Sequence, residues 1–139
     1  MKHGSSIGFL VLLFLVLLWG LWSWYDQPHQ NMNGAKASVV VDAQRLFAAY
    51  SNDEASANAQ YLDQVVQVSG IIARIEQATS GLPSIVLATT DGLFGVICQL
   101  DEQTKHPTFD YQAGDAITLK GMCTGMLMDV VLVRCVIVP

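Results

Sequence analysis

From Ile7 to Trp24 the chain reads IGFLVLLFLVLLWGLWSW, a run without one ionisable side chain. Wound as a helix rising ~1.5 Å per residue, it reaches about 27 Å, close to the thickness of a bilayer's hydrocarbon core. Trp19, Trp22, Trp24 and Tyr25 gather at its C-terminal end, where amphipathic rings sit at headgroup level, and Asp26 marks the return to water. The reading is a single transmembrane anchor over residues 1–25. Lys2 and the terminal amine favour a cytoplasmic N-terminus, which puts everything from Asp26 onward outside the cytoplasm. A cleaved signal peptide is the competing reading, because Ala35-Lys36-Ala37 has the small-x-small pattern of a cleavage site. That site lies well past Trp24, and the apolar run is longer than the ~7 to 15 residues of a signal peptide's core, so the anchor is preferred.

The remainder is acidic. All twelve Asp and Glu residues stand at or beyond Asp26, against six of the seven Lys and Arg residues, a formal charge of −6. Binding to a nucleic-acid backbone draws on clustered cations. Here Lys36, Arg45, Arg74, Lys105, Lys120 and Arg134 are scattered. With 139 residues there is room for one domain beside the anchor.

Residues 26–41 read as a flexible spacer, being polar with Pro28 and Gly34 and without apolar periodicity. Asp42 is placed to cap a helix over residues 43–50, with Leu46, Phe47 and Tyr50 on one face, and a second helical turn is expected from Glu54 to Tyr61. From Val65 the pattern changes to strands. VVQVSGIIARIE is the first, with Val66, Val68, Ile72 and Ile75 pointing inward and a bulge or sharp coil expected at Gly70. Residues 84–88 and 93–100 make the second and third, a polar excursion from Asp101 to Asp115 follows, and AITLKGMC and VVLVRCVIV are the fourth and fifth. Five short strands with a long third connection fit a mainly β, five-stranded Greek-key OB barrel, preceded by a short helical hairpin, over residues 42–139.

The residues from Asp42 to the C-terminus resemble the tRNA-anti-like family of OB-fold domains found in bacterial envelope proteins. The resemblance is carried by Leu46, Tyr50, Asn52, Glu54, Ala55 and Tyr61, then by VQVSG at Val66 to Gly70 and GVICQL at Gly95 to Leu100. Gly114-Asp115, LKGMCTG at Leu119 to Gly125 and DVVLVRC at Asp129 to Cys135 complete it. It implies an OB fold similar to that of anticodon-binding domains, with nucleic-acid binding suggested by likeness of fold, and it implies no reaction. The expected location is a bacterial inner membrane, with the barrel in the periplasm.

Candidate chemistry is sparse. Cys98, Cys123 and Cys135 fall on the third, fourth and fifth expected strands; two of them could be bridged in an oxidising exterior, or all three are buried thiols, and the sequence leaves the pair open. There is no C-x-x-C or Cys/His cluster, so no metal site is expected. Asp53-Glu54 and Asp101-Glu102 are neighbours in sequence rather than carboxylates converging on a cleft. His106, Phe109 and Tyr111, in the loop KHPTFDY, with Tyr61 and Phe94, are the candidates for contact with a ligand or partner. A haem chaperone reading fails on spacing, since such anchored OB folds carry the histidine beyond the barrel with its tyrosine four residues on. The expectation is therefore a non-enzymatic binding module without a cofactor, taking an envelope protein or a small ligand. Single-stranded oligonucleotide is the alternative, by base stacking on aromatics in a basic groove.

Overall fold

The computed structural model describes residues 4–25, 31–77, 81–103 and 110–139. The chain forms two compact units, Met1–Gln30 and Asn31–Pro139. In the first, α1 (Gly4–Tyr25) is one continuous helix. Its described side chains are apolar on every side and all exposed, from Leu18 at 47% to Trp19 at 76%. No stripe is set apart for a protein core, as an amphipathic helix would have. The side chains described on α1 cover residues 8–23, and among the described residues no helix is long and apolar enough to cross a membrane.

In the second unit the expected five strands are β2 (Val65–Glu76), β3 (Ser84–Leu87), β4 (Val96–Leu100), β5 (Ala116–Met126) and β6 (Val130–Ile137). They pair in the order β2-β3-β4-β6-β5, and β5 closes back onto β2, so the ring is a barrel. Every pairing in it is antiparallel except β4 with β6. That exception follows from the long crossover after β4, which lets β5 form on the far side of the place β6 later fills. Val66, Val68, Ile85, Leu87, Val96, Leu119 and Leu132 fill the interior. Val66, Val68 and Ile72 point inward as expected, while Ile75 is only half-buried.

Two helices cover one end of this barrel. Asp42 caps α2 (Ala43–Asn52), its Oδ1 accepting from Arg45 N at 2.9 Å. Asp53 caps α3 (Glu54–Tyr61), accepting from Ser56 N at 3.2 Å and from Ser56 Oγ at 2.6 Å. These bonds hold the Asp53 carboxyl below its ordinary pKa. Ala43, Leu46, Phe47 and Tyr50 are the buried face of α2, and Ala57 and Tyr61 that of α3.

Several expectations need correction. β1 (Val39–Asp42) was not foreseen; it lies parallel to β2, in register from Val39↔Val66 to Asp42↔Ser69. Four residues are too few for a periodicity to show, although the Val-Val-Val run has the β-branched composition that strands favour. The spacer is not free either. Residues 26–30 lie outside the described residues, but from Asn31 the chain makes a turn, with Gly34 N and Ala35 N both donating to Asn31 O at 3.1 Å. Met32 is fully buried. Lys120 Nζ donates to Asn33 O at 3.3 Å and to Ala35 O at 2.8 Å, and Ser38 N to Val65 O at 2.8 Å. Residues 31–38 are thus a strap fastened to the barrel.

Gly70 carries no bulge, because β2 and β5 stay in register through it. The glycine makes room for α2: a Cβ there would stand 3.1 Å from the Ala43 Cβ. The third strand begins at Val96 rather than Leu93, leaving Leu93 and Phe94 in the connecting loop. β6 breaks strict alternation at Arg134, whose φ of 52° is left-handed. That kink coincides with the register shift against β5 and turns Cys135 into the core, while Val136 beside it is buried outside the core cluster. The space Cys135 enters exists because position 121 is glycine; a Cβ there would collide with the Cys135 Sγ and stand 2.9 Å from the Val133 carbonyl oxygen.

Candidate functional site

Of the contact residues singled out in the sequence, Tyr61, Phe94 and Tyr111 are among the described residues. Tyr61 is buried in the core cluster, its ring centroid 6.1 Å from that of Tyr50. Tyr50 OH lies 3.4 Å from the Cys123 Sγ. Burial, and then this thiol contact, push the Tyr50 phenol far above its ordinary pKa. Phe94 stands half out of the loop before β4, its backbone carbonyl accepting from Thr89 Oγ1. His106 and Phe109 lie outside the described residues.

The three cysteines are buried free thiols, so none of the three pairings is made. Strand register separates one of the pairs. Leu132 pairs with Cys98 on one side and with Cys123 on the other, which sets those two apart by two strand spacings, roughly 9.6 Å at ~4.8 Å each. Cys135 is in register with Leu100, two residues past Cys98, and packs against Gly121, two residues before Cys123. The separation of Cys98 from Cys123 exceeds the ~7 Å between Cα atoms that a disulfide spans without backbone movement, whereas Cys135 and Cys98 meet as hydrogen-bonded free thiols. Burial raises the Cys135 thiol's pKa, and hydrogen bonding with Cys98 raises it further.

Among the described residues, the candidate Tyr111 lies at a concavity. Half-buried, it flanks a groove of about 480 Å³ on the outer face of the β2–β5 pairing. Ser69 and Thr118, paired across the two strands, put their hydroxyl-bearing residues side by side in the floor, next to Ile71 and Ala116. Val138 and Pro139 form the other wall. The volume lies in the usual range for small-ligand sites, roughly 300 to 1,000 Å³. None of the lining side chains carries a charge at neutral pH. The two hydroxyls have no side-chain carboxylate or imidazole among those residues, so the lining side chains offer hydrogen bonding and apolar contact. The sequence concealed this site because Ser69 and Thr118 meet only through pairing of strands 49 positions apart.

Cations do not gather anywhere in the described barrel. Arg74 Nε pairs with Glu76 Oε1 at 2.8 Å, Arg45 Nε with Asp42 Oδ2 at 3.4 Å, and Lys120 holds the strap. Among the described residues no group of three or more His, Cys, Asp or Glu is arranged to hold a metal.

No curated protein and no solved structure matches the chain. A family model does match, and its match reaches beyond the expected boundary at Asp42 to take in the apolar helix and the strap. With a closed five-stranded barrel of OB type behind a helical pair, and a family match over residues 1–137, the chain belongs to the tRNA-anti-like family.

Proposed function

We propose that the protein is a single-pass, membrane-anchored binding module whose OB barrel, outside the cytoplasm, holds an uncharged envelope component in the groove beside Tyr111. It performs no reaction of its own. The observation that carries the ligand reading is the groove itself, which combines two hydroxyl-bearing residues, an aromatic wall and no charged side chain. A small polar molecule or a segment of an envelope protein suits such a lining, whereas a nucleic-acid strand needs cations along its path. The anchor reading is supported by the ionisable-free run from Ile7 to Trp24. It is supported too by the exposure of apolar side chains on every side of α1, a surface that water does not tolerate over such a length.

Cells carrying Ser38→Cys and a photocrosslinking residue at Ile71 test both halves. Ser38 is exposed on the strap while the native thiols are buried. A membrane-impermeant maleimide should label intact cells, with the product in the membrane fraction at full-length mass. Illumination should give a discrete adduct that Thr118→Trp, which fills the groove, removes. Labelling only after lysis would refute the extracytoplasmic placement, and an adduct indifferent to Thr118→Trp would refute the groove.

A further inference from the structure

Among the described residues of the barrel unit, seven large apolar side chains are exposed, and they are not evenly spread. Ile71 belongs to the groove and Val40 to the edge strand β1. The other five surround the helix-covered end. Leu93 (75% exposed) and Phe94 lie on the β3–β4 loop, while Leu127 (94%) and Met128 form the tip of the β5–β6 hairpin. The two loops are fastened together, since Gly95 N donates to Asp129 Oδ1 at 2.6 Å and Val130 N to Gly95 O at 3.0 Å. Leu62, at the end of α3, lies beside Gly125 just below the hairpin tip, its Cδ1 3.6 Å from where a Cβ would stand. Gln44 of α2 ties the same loop to the helical cover through Thr90. At the opposite end, the described parts of the β2–β3 and β4–β5 connections expose no large apolar side chain.

The strap decides what meets this rim. With the chain bound to the barrel from Asn31 onward, six Cα–Cα steps separate Tyr25 from the barrel unit, at most about 22 Å whatever their conformation. On the anchored reading, so short a connection keeps the barrel within reach of the bilayer surface. Resting on the anchored reading above, we propose that Leu93, Phe94, Leu127 and Met128 form a lipid-seating rim that dips into the headgroup–acyl boundary of the bilayer holding α1. The segments 92–95 and 126–129 contain no Lys, Arg or His and include Asp129. The seat is therefore apolar, with no attraction to anionic lipid, and fits a zwitterionic surface.

The test uses the full chain reconstituted in phosphatidylcholine vesicles, with an environment-sensitive fluorophore at one introduced cysteine. Leu93→Cys and Leu127→Cys report the rim, Gln112→Cys the opposite end and Leu15→Cys the helix; the native thiols are buried and give the background. Lipids carrying a nitroxide near the headgroup should quench both rim labels at least twofold and leave the Gln112 label unchanged, and deeper nitroxides should quench the Leu15 label. Rim labels as unquenched as Gln112, with Leu15 quenched, overturn the lipid seat and leave the anchor standing. An unquenched Leu15 label overturns the anchor, and the seat with it. Rim labels shielded from aqueous iodide yet untouched by lipid nitroxides mean that a second copy or another protein covers the rim, which also overturns the proposal.

Discussion

Gly121 and Cys135 show how far one residue can be explained only by another. The thiol occupies the volume that any Cβ at position 121 would take, and the left-handed Arg134 just before it turns the thiol inward. Gly121→Ala should destabilise the barrel by about 2 kcal/mol, the usual cost of overpacking a filled core. Adding Cys135→Ala should return part of that loss, while the Val133 carbonyl remains close. Urea unfolding of the two single variants and the double variant measures the coupling, and strictly additive losses would show that the two positions do not share space. Nothing in the sequence marked this pair. GMC and RCV both read as strand interior, and only the register shift between β5 and β6 brings them together.

Among the elements, the helices and barrel strands were legible and the strap was not. Asp42 and Asp53 precede helical patterns and cap helices, and alternation from Val65 onward marks β2. These signals are local, so short stretches of sequence contain them. The strap has no period, and its order comes from a buried methionine and from a lysine far along the chain. Met32→Ala together with Lys120→Ala should free residues 31–38 while the barrel stays folded, because neither side chain belongs to the core cluster. Limited proteolysis should then cut next to Lys36 at least tenfold faster than in the native chain. An unchanged cutting rate would mean that the strap's other bonds, such as Ser38 N to Val65 O, suffice to hold it.

For the whole molecule, the buried acids set how stability depends on pH. Tyr50 and Cys135 both have pKa values raised by burial, from ordinary values of 10.0 and 9.0. In the unfolded chain they ionise at those ordinary values, while in the folded barrel they stay neutral to higher pH. Their contribution is thus complete below about pH 9 and is lost as pH rises toward the folded values, by about 1.4 kcal/mol per pH unit for each group once it titrates in the unfolded chain. Unfolding free energies measured from pH 7 to 11 should fall above pH 9, and Tyr50→Phe with Cys135→Ala should flatten the decline. An unchanged slope in that double variant would assign the decline to other groups.

What the sequence alone determined is whatever depends on neighbours along the chain: the ionisable-free helix, the Asp42 cap, the alternation of the barrel strands and the acidic balance that disfavours a nucleic-acid backbone. The tertiary structure decided the rest, because it depends on residues far apart in sequence. Register set Cys98 and Cys123 two strand spacings apart, on either side of Leu132, which their places along the chain do not show. The covering helices turned Tyr61 into the core. The groove arose from strands paired across 49 positions, and the apolar rim from two loops joined by the bond from Gly95 to Asp129. Local pattern encodes which side of a strand faces inward, whereas register and loop contacts, fixed only when the whole barrel closes, decide which inward or outward residues meet.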